Sequence, residues 1–280
     1  MEFPKTGVVF SSGFFGFFAH AGFLAAIRNK RIPLSGFSGT SSGSIVAAMA
    51  ASGMDDAEIF SLLSSVKKND FWDPDPLNIL IKAAFKLFKG YTGYLHGKKF
   101  KHLISQIPCD TIEACNTPLV ITTVNLTAQK NEDLISGNLS KAVQASGAIP
   151  MLFKPVEING SLHVDGGYAC KAPVEALFNR VPDLQQIIVH YIRSENLTKS
   201  SHGFLNKKLT PFHILSSVIN ISREDAYIRQ LEQVRAKGIE VIEIVTAAPR
   251  ISPSRMSEGP AAYKIAMAET TRILEEKKLV

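Results

Sequence analysis

The chain has 280 residues, 45% hydrophobic and 20% charged, with a formal net charge of +6. This excludes an intrinsically disordered chain and leaves room for a substantial buried core. Three cysteines (Cys109, Cys115, Cys170), none in a CxxC or CxxH spacing, exclude a disulfide scaffold and argue against a structural metal; reduced thiols point to a cytoplasmic setting.

The first segment, Thr6 to Ile27, contains no Asp, Glu, Lys or Arg and is long enough to be mistaken for a membrane span or a signal peptide. Gly7, Gly13, Gly16 and Gly22, with Ser11, Ser12 and His20, break it up, and the preceding residues carry no net positive charge. The expected arrangement is a buried strand over Gly7–Ser11, a glycine-containing turn, and a buried helix over about Phe17–Lys30. A second strand is expected at Leu34–Ser38. A helix over Asp55–Lys68 opens on acidic residues and carries Ile59, Leu62, Leu63 and Val66 at helical spacing.

Leu77–Lys89 places Lys82, Lys86 and Lys89 on one helical stripe beside Ile81, Phe85 and Phe88. Such a basic amphipathic helix is compatible with peripheral membrane contact, and more often such a helix is simply a surface helix packed on its own domain. Lys98, Lys99, Lys101 and Lys207-Lys208 are the other places where the basic excess concentrates; no nucleic-acid motif accompanies it, so no nucleic-acid partner is expected. Further strands are expected at Leu119–Val124, Gln186–Ile192 and Ile239–Val245, and long helices at Pro211–Lys237 and Gly259–Lys278. Val156–Val164 is a hairpin, turning at Asn159-Gly160. Apolar strands alternating with helices imply an α/β fold, a mostly parallel central sheet with helices on both faces. Ser194–Lys208 is the best loop candidate, and nothing requires it to be a linker, so one domain over 1–280 is the simplest organisation.

Gly39-Thr40-Ser41-Ser42-Gly43 matches G-x-S-x-G between a strand and a small-residue apolar stretch. On a sharp strand-to-helix turn a serine stands exposed with crowded neighbours, which is why its flanks are Gly39 and Gly43. The N–H of Ser42 would face a bound carbonyl oxygen, where the helix dipole favours developing negative charge. A Ser-Asp-His triad would draw its histidine from His190, His202 or His213; His190 lies in an apolar strand and reads as a core histidine. The carboxylate with the most distinctive setting is Asp165, at the end of the hairpin and followed by Gly166 and Gly167. His163 shares its strand face at period two, and an outward orientation is the simpler expectation for it.

Together these motifs resemble the patatin family of lipid acyl hydrolases. The resemblance covers roughly residues 7–175: the opening GVVFSSGFFGFFAHAGFL, the elbow at Ser41, Ala145–Pro150 followed by Phe153–Val156, and Asp165-Gly166-Gly167. It implies a Ser-Asp dyad without histidine, in which Ser41 is the nucleophile and Asp165 the base, and which needs neither metal nor cofactor. The backbone N–H groups of Gly13, Phe14 and Ser42 would form the oxyanion hole. The family's Gly-Gly-Gly-x-Arg/Lys-Gly loop aligns with Ser12-Gly13-Phe14-Phe15-Gly16-Phe17, so the basic residue has become Gly16. The loss of that cation bears on phospholipid headgroup preference and on catalytic strength. The resemblance thus implies a serine hydrolase of lipid esters, phospholipase A, lysophospholipase or esterase. A patatin-like scaffold and an acyltransferase with the same acyl-serine are the alternatives.

Overall fold

The computed structural model describes residues 4–74, 92–193, 211–249 and 251–277, and the side chains of 211–213 are not among what it describes. Leu77–Lys89, His202 and Lys207-Lys208 therefore lie outside the described residues, as does the side chain of His213.

The uncharged opening segment divides into a strand and a helix. β1 (Thr6–Phe10) is buried at every position, and α1 (Phe17–Asn29) is buried from Phe17 to Ile27. Val8 and Phe10 join one hydrophobic cluster and Val9 joins the other, as expected of a central strand covered on both faces. β2 (Leu34–Thr40) and β4 (Leu119–Asn125) follow, with β9 (Gln186–His190) and β10 (Glu240–Ile244) on the far side of β1. β5 (Lys130–Leu134), β7 (Val156–Ile158) and β8 (Ser161–Asp165) lie at the opposite end. The main sheet runs β10-β9-β1-β2-β4-β8-β7, with β5 also paired to β4. The pairs from β10 to β4 are parallel, whereas β5, β7 and β8 add antiparallel pairs. The β7–β8 hairpin turns at Asn159-Gly160, both with positive φ (50° and 78°), the backbone that a two-residue type I′ turn demands. A separate parallel pair joins β3 (Gly93–Leu95) to β6 (Met151–Phe153).

One face of the sheet is covered by α1, α2 (Ser42–Ala51) and α8 (Gly259–Glu276), whose Leu24, Ile27, Val46, Ala262 and Leu274 share a core with Phe10, Ile188 and Ile242. The other is covered by α6 (Val174–Arg180) and α7 (Pro211–Ala236), through Leu177, Leu231 and Val234 against Val9, Ile187 and Val189. α1 and α8 approach so closely that a Cβ on Gly22 would lie 2.1 Å from the Tyr263 carbonyl oxygen. α3 (Asp56–Ser65) opens with a capping box: the Asp55 carboxylate accepts from the Glu58 N–H, and the Glu58 carboxylate from the Asp55 N–H. α4 (Lys98–Ile104) and α5 (Leu139–Ser146) complete the described helices, and none of these is long and apolar enough to cross a membrane.

This topology positions the site. β1 and β2 run parallel with Phe10 opposite Gly39, so the loop after β1 and the turn after β2 emerge side by side at the carboxyl ends of adjacent strands, where α/β sheets bind ligands. β4 carries the remaining register: Thr122 pairs with Thr40 of β2, and the next residue, Thr123, pairs with Asp165 of β8. Two neighbouring threonines thus bring Ser41 and Asp165 to the same end of the sheet, although 124 positions separate them in sequence.

Candidate active site

Ser41 occupies the turn between β2 and α2 with φ 55° and ψ −124°, a conformation that side-chain-bearing residues rarely adopt. The surrounding structure over-determines it. Its N–H donates to Ser146 Oγ at 2.9 Å, while its carbonyl accepts from the Ser44 N–H at 3.0 Å and from Ser44 Oγ at 2.6 Å. Ser146 Oγ in turn donates to the Thr122 carbonyl at 2.8 Å, tying the elbow to β4. The motif glycines are demanded by close approach and not by handedness. A Cβ on Gly43 would sit 2.4 Å from the Phe10 carbonyl oxygen, and one on Gly39 2.5 Å from that of Gly43.

Ser41 Oγ donates to Asp165 Oδ2 at 2.7 Å. Asp165 Oδ1 accepts the Gly167 N–H at 2.7 Å, and its own N–H donates to the Ala148 carbonyl at 3.0 Å, so both carboxylate oxygens and the backbone are held. Gly166 is needed because a Cβ there would lie 2.2 Å from the Thr122 carbonyl oxygen; at Gly167 it would meet Ser12 Cβ at 2.7 Å. Asp165 is buried, and burial pushes its pKa up to about 6, against the lowering effect of the Ser41 hydroxyl, the Gly167 N–H and the Arg223 guanidinium. A carboxyl shifted in this way is a better base near neutral pH than an ordinary aspartate.

The N–H groups of Gly13, Phe14 and Ser42 make no hydrogen bond among the described residues, while the Gly13 carbonyl accepts from the Gly16 N–H and from Ser42 Oγ. The loop that carries Gly13 is thereby pinned to the elbow. Two cavities meet at Ser41, sharing Phe14, Ile149 and Leu152 in their walls. One, of about 880 Å³ counted to its open mouth, is almost wholly apolar and runs past Ile45 and Met49 of α2 to Leu63 of α3 and to Phe71. The other, about 1210 Å³ on the same measure, lies against Asp165, Gly167, Tyr168 and the α7 residues Ser216, Asn220 and Arg223.

His20, His163 and His190 have partners other than the serine. His190 is buried, 2.8 Å from His20 Nδ1 and 3.0 Å from Thr246 Oγ1, and stacks on Phe23; desolvation holds both histidines below the ordinary range. His163 corrects the expected outward orientation. It is 2% exposed, with Nδ1 3.0 Å from Thr123 Oγ1 of β4 and Nε2 3.8 Å from Glu132 of β5, so side chains from these two strands meet the imidazole on the face it occupies. Among the described residues no cluster of His, Cys, Asp and Glu could hold a metal ion.

Sequence reasoning missed Ser146 and Arg223. Ser146 lies inside the Ala145–Pro150 block, where the motif alone gives no reason to single out its hydroxyl. Its removal leaves the buried Ser41 N–H without an acceptor, a cost of about 1–3 kcal/mol. Ser146→Ala is therefore expected to lower the urea midpoint and to slow fluorophosphonate labelling of Ser41 severalfold. Equal midpoints and equal labelling would show that the turn holds without this bond.

The sequence model of the Patatin family, described as patatin-like phospholipase, matches residues 8–178. Lysophospholipase NTE1 of Candida glabrata is 28% identical over 173 residues, which cover 60% of this chain and 9% of that protein. An uncharacterized NTE family protein of Mycobacterium tuberculosis is 28% identical over 182 residues, 65% of this chain and 48% of the relative. The chain thus spans less than half the length of either relative. Among solved structures, VipD from Legionella pneumophila superposes with a TM-score of 0.54 at 16% identity, covering 98% of this chain and 67% of that one, a likeness of fold.

Proposed function

The chain belongs to the patatin-like phospholipase family, and from that premise we propose that it hydrolyses carboxylic esters of lipids through an acyl-serine on Ser41, with Asp165 as the base. The observation that carries this reading is the 2.7 Å hydrogen bond from Ser41 Oγ to Asp165 Oδ2 where an apolar cavity opens. In the first half-reaction Ser41 Oγ bonds to the ester carbonyl carbon while its proton passes to Asp165. The carbonyl oxygen takes up negative charge, and the N–H groups of Gly13, Phe14 and Ser42 receive it. Collapse breaks the ester C–O bond, and Asp165 returns the proton to the departing alkoxide. In the second half-reaction a water gives its proton to Asp165 and its oxygen to the acyl carbon, the fatty acid departs, and Ser41 regains its proton.

The acyl chain occupies the apolar cavity between α2 and α3 in this reading, and the leaving alcohol the one beside Asp165. Burying a methylene stabilises by about 0.8 kcal/mol, so lengthening the acyl chain is expected to raise kcat/KM. For soluble p-nitrophenyl esters, the octanoate is expected to exceed the acetate by at least about tenfold, a fraction of the full transfer energy of six methylenes. A flat dependence on chain length would sink the acyl-pocket reading. Covalent labelling with transfer of the acyl group to an added alcohol, and little release of free fatty acid, would identify an acyltransferase instead.

A further inference from the structure

We propose that the cavity beside Asp165 is a phosphate subsite, in which Arg223 of α7 binds the headgroup phosphate of a glycerophospholipid or lysophospholipid. The proposal rests on the serine-hydrolase reading and adds the chemical class of its leaving group.

The argument starts from a residue the chain lacks. The loop after β1 has Gly16 where the resembled family carries Arg or Lys. A Cβ on Gly16 would lie 2.3 Å from Ile192 Cδ1 and 3.2 Å from Ser42 Oγ, so a side chain there would require the end of Ile192 to move. The Ile192 N–H donates to Ser11 Oγ at 2.8 Å, which holds its backbone beside the loop. The loop position itself carries no cation.

A cation reaches the site from elsewhere. Arg223 lies beyond the residues matched by the family model, on the long helix α7 that covers the opposite face of the sheet from α1. Ser216, Asn220 and Arg223 are spaced by four and three residues, one face of a helix, and all three line the cavity that holds Ser41 and Asp165. Arg223 Nη1 donates to the Gly167 carbonyl at 2.7 Å, which sets the guanidinium against the loop that also orients Asp165. Among the described residues lining this cavity, the charged ones are Asp165 and Arg223.

Chemistry assigns the two sides. The apolar cavity suits the acyl chain, so the alcohol half of the ester enters the side where Asp165 returns a proton to it. A partly buried guanidinium there matches a phosphate, whose oxygens accept from its planar fork, better than a neutral glycerol. While Asp165 holds the Ser41 proton it is uncharged, so a headgroup phosphate next to it is attracted by Arg223 without repulsion from Asp165, although Glu224 beside Arg223 offsets part of that charge. The same cation stabilises ionised Asp165 in the resting site.

Two soluble substrates with the same acyl group separate the roles: 1-octanoylglycerol and 1-octanoylglycerol 3-phosphate. Wild type is expected to favour the phosphate ester in kcat/KM. In Arg223→Gln the phosphate-to-neutral ratio should fall by about tenfold or more, the scale of a lost charge-assisted hydrogen bond. In Arg223→Lys, which keeps the charge and loses the fork, it should fall less. Glycerol 3-phosphate should competitively inhibit p-nitrophenyl octanoate hydrolysis by wild type and lose that effect in Arg223→Gln. Equal inhibition by inorganic phosphate would show a site for free phosphate and overturn the headgroup assignment. An unchanged ratio in Arg223→Gln, with or without an equal loss on both substrates, would overturn the subsite and leave Arg223 as a residue that positions Gly167. Turnover of neither substrate nor the nitrophenyl ester by wild type would sink the hydrolase reading itself, and the subsite with it.

Discussion

Ser41→Ala is expected to abolish both ester hydrolysis and covalent labelling by a fluorophosphonate, with a loss in kcat of at least about a thousandfold, as for a nucleophile that acts as a unit with its base. The substitution removes a single oxygen. The bonds that hold the turn, from the Ser41 N–H to Ser146 and from Ser44 to the Ser41 carbonyl, are made by the backbone of residue 41 and survive it. Alanine inherits the same positive φ, so the strain of the turn, about 1–3 kcal/mol, is unchanged. The variant loses the Ser41 Oγ–Asp165 hydrogen bond but keeps those that hold the turn, so it should remain folded while failing to gain the mass of one adduct. Labelling that persists in Ser41→Ala would place the reactive group elsewhere, and an unlabelled wild type would favour a non-catalytic scaffold.

Much of this site is legible in the amino-acid sequence, for physical reasons that can be named. The uncharged run from Thr6 to Ile27 reads as strand and helix because glycine punctuates it, and the fold places β1 and α1 there. Gly39 and Gly43 betray a tight turn because a Cβ at either would strike backbone within 3 Å. Asn159-Gly160 betrays the hairpin because both residues must turn left-handed. In each case a local steric demand leaves a mark on composition.

The features that escape such a reading depend on contacts between distant segments. β5 reads Lys-Asn-Glu-Asp-Leu, with neither alternation nor β-branched residues, and is a strand only because the edge of β4 is available to pair with it. Ser146 bonds across 105 positions to Ser41, and Arg223 reaches Gly167 across 56. No periodicity marks a hydroxyl or a guanidinium for such a role. The inward turn of His163 belongs to the same class. Its position at period two from Asp165 places it on the correct face, but only the neighbouring strands decide that the face is covered.

Asp165→Asn is expected to lower kcat for ester hydrolysis by at least about a hundredfold, within the range for loss of a general base. The amide can still accept a hydrogen bond from Ser41 or from the Gly167 N–H, so geometry is largely kept while the ability to take a proton is lost. For wild type, Asp165 must be ionised to act, and its pKa is raised to about 6 by burial. Activity on a soluble ester should accordingly climb as pH rises through about 6 and level off above it, with the climb absent from the residual rate of Asp165→Asn. Stability runs the other way. A carboxyl whose pKa rises on folding favours the native state while it is protonated, and that contribution is complete below its unfolded value near 4 and lost as pH rises through about 6. At about pH 8 wild type carries a buried charge that asparagine does not, so Asp165→Asn should be at least as resistant to urea as wild type there. At about pH 4 that relative advantage should shrink or vanish. A variant less stable than wild type at the higher pH and relatively more stable at the lower one would contradict the raised pKa. Full activity in Asp165→Asn would remove Asp165 from the chemistry. A flat wild-type profile between about pH 5 and 7 would leave the serine to be activated by some other group.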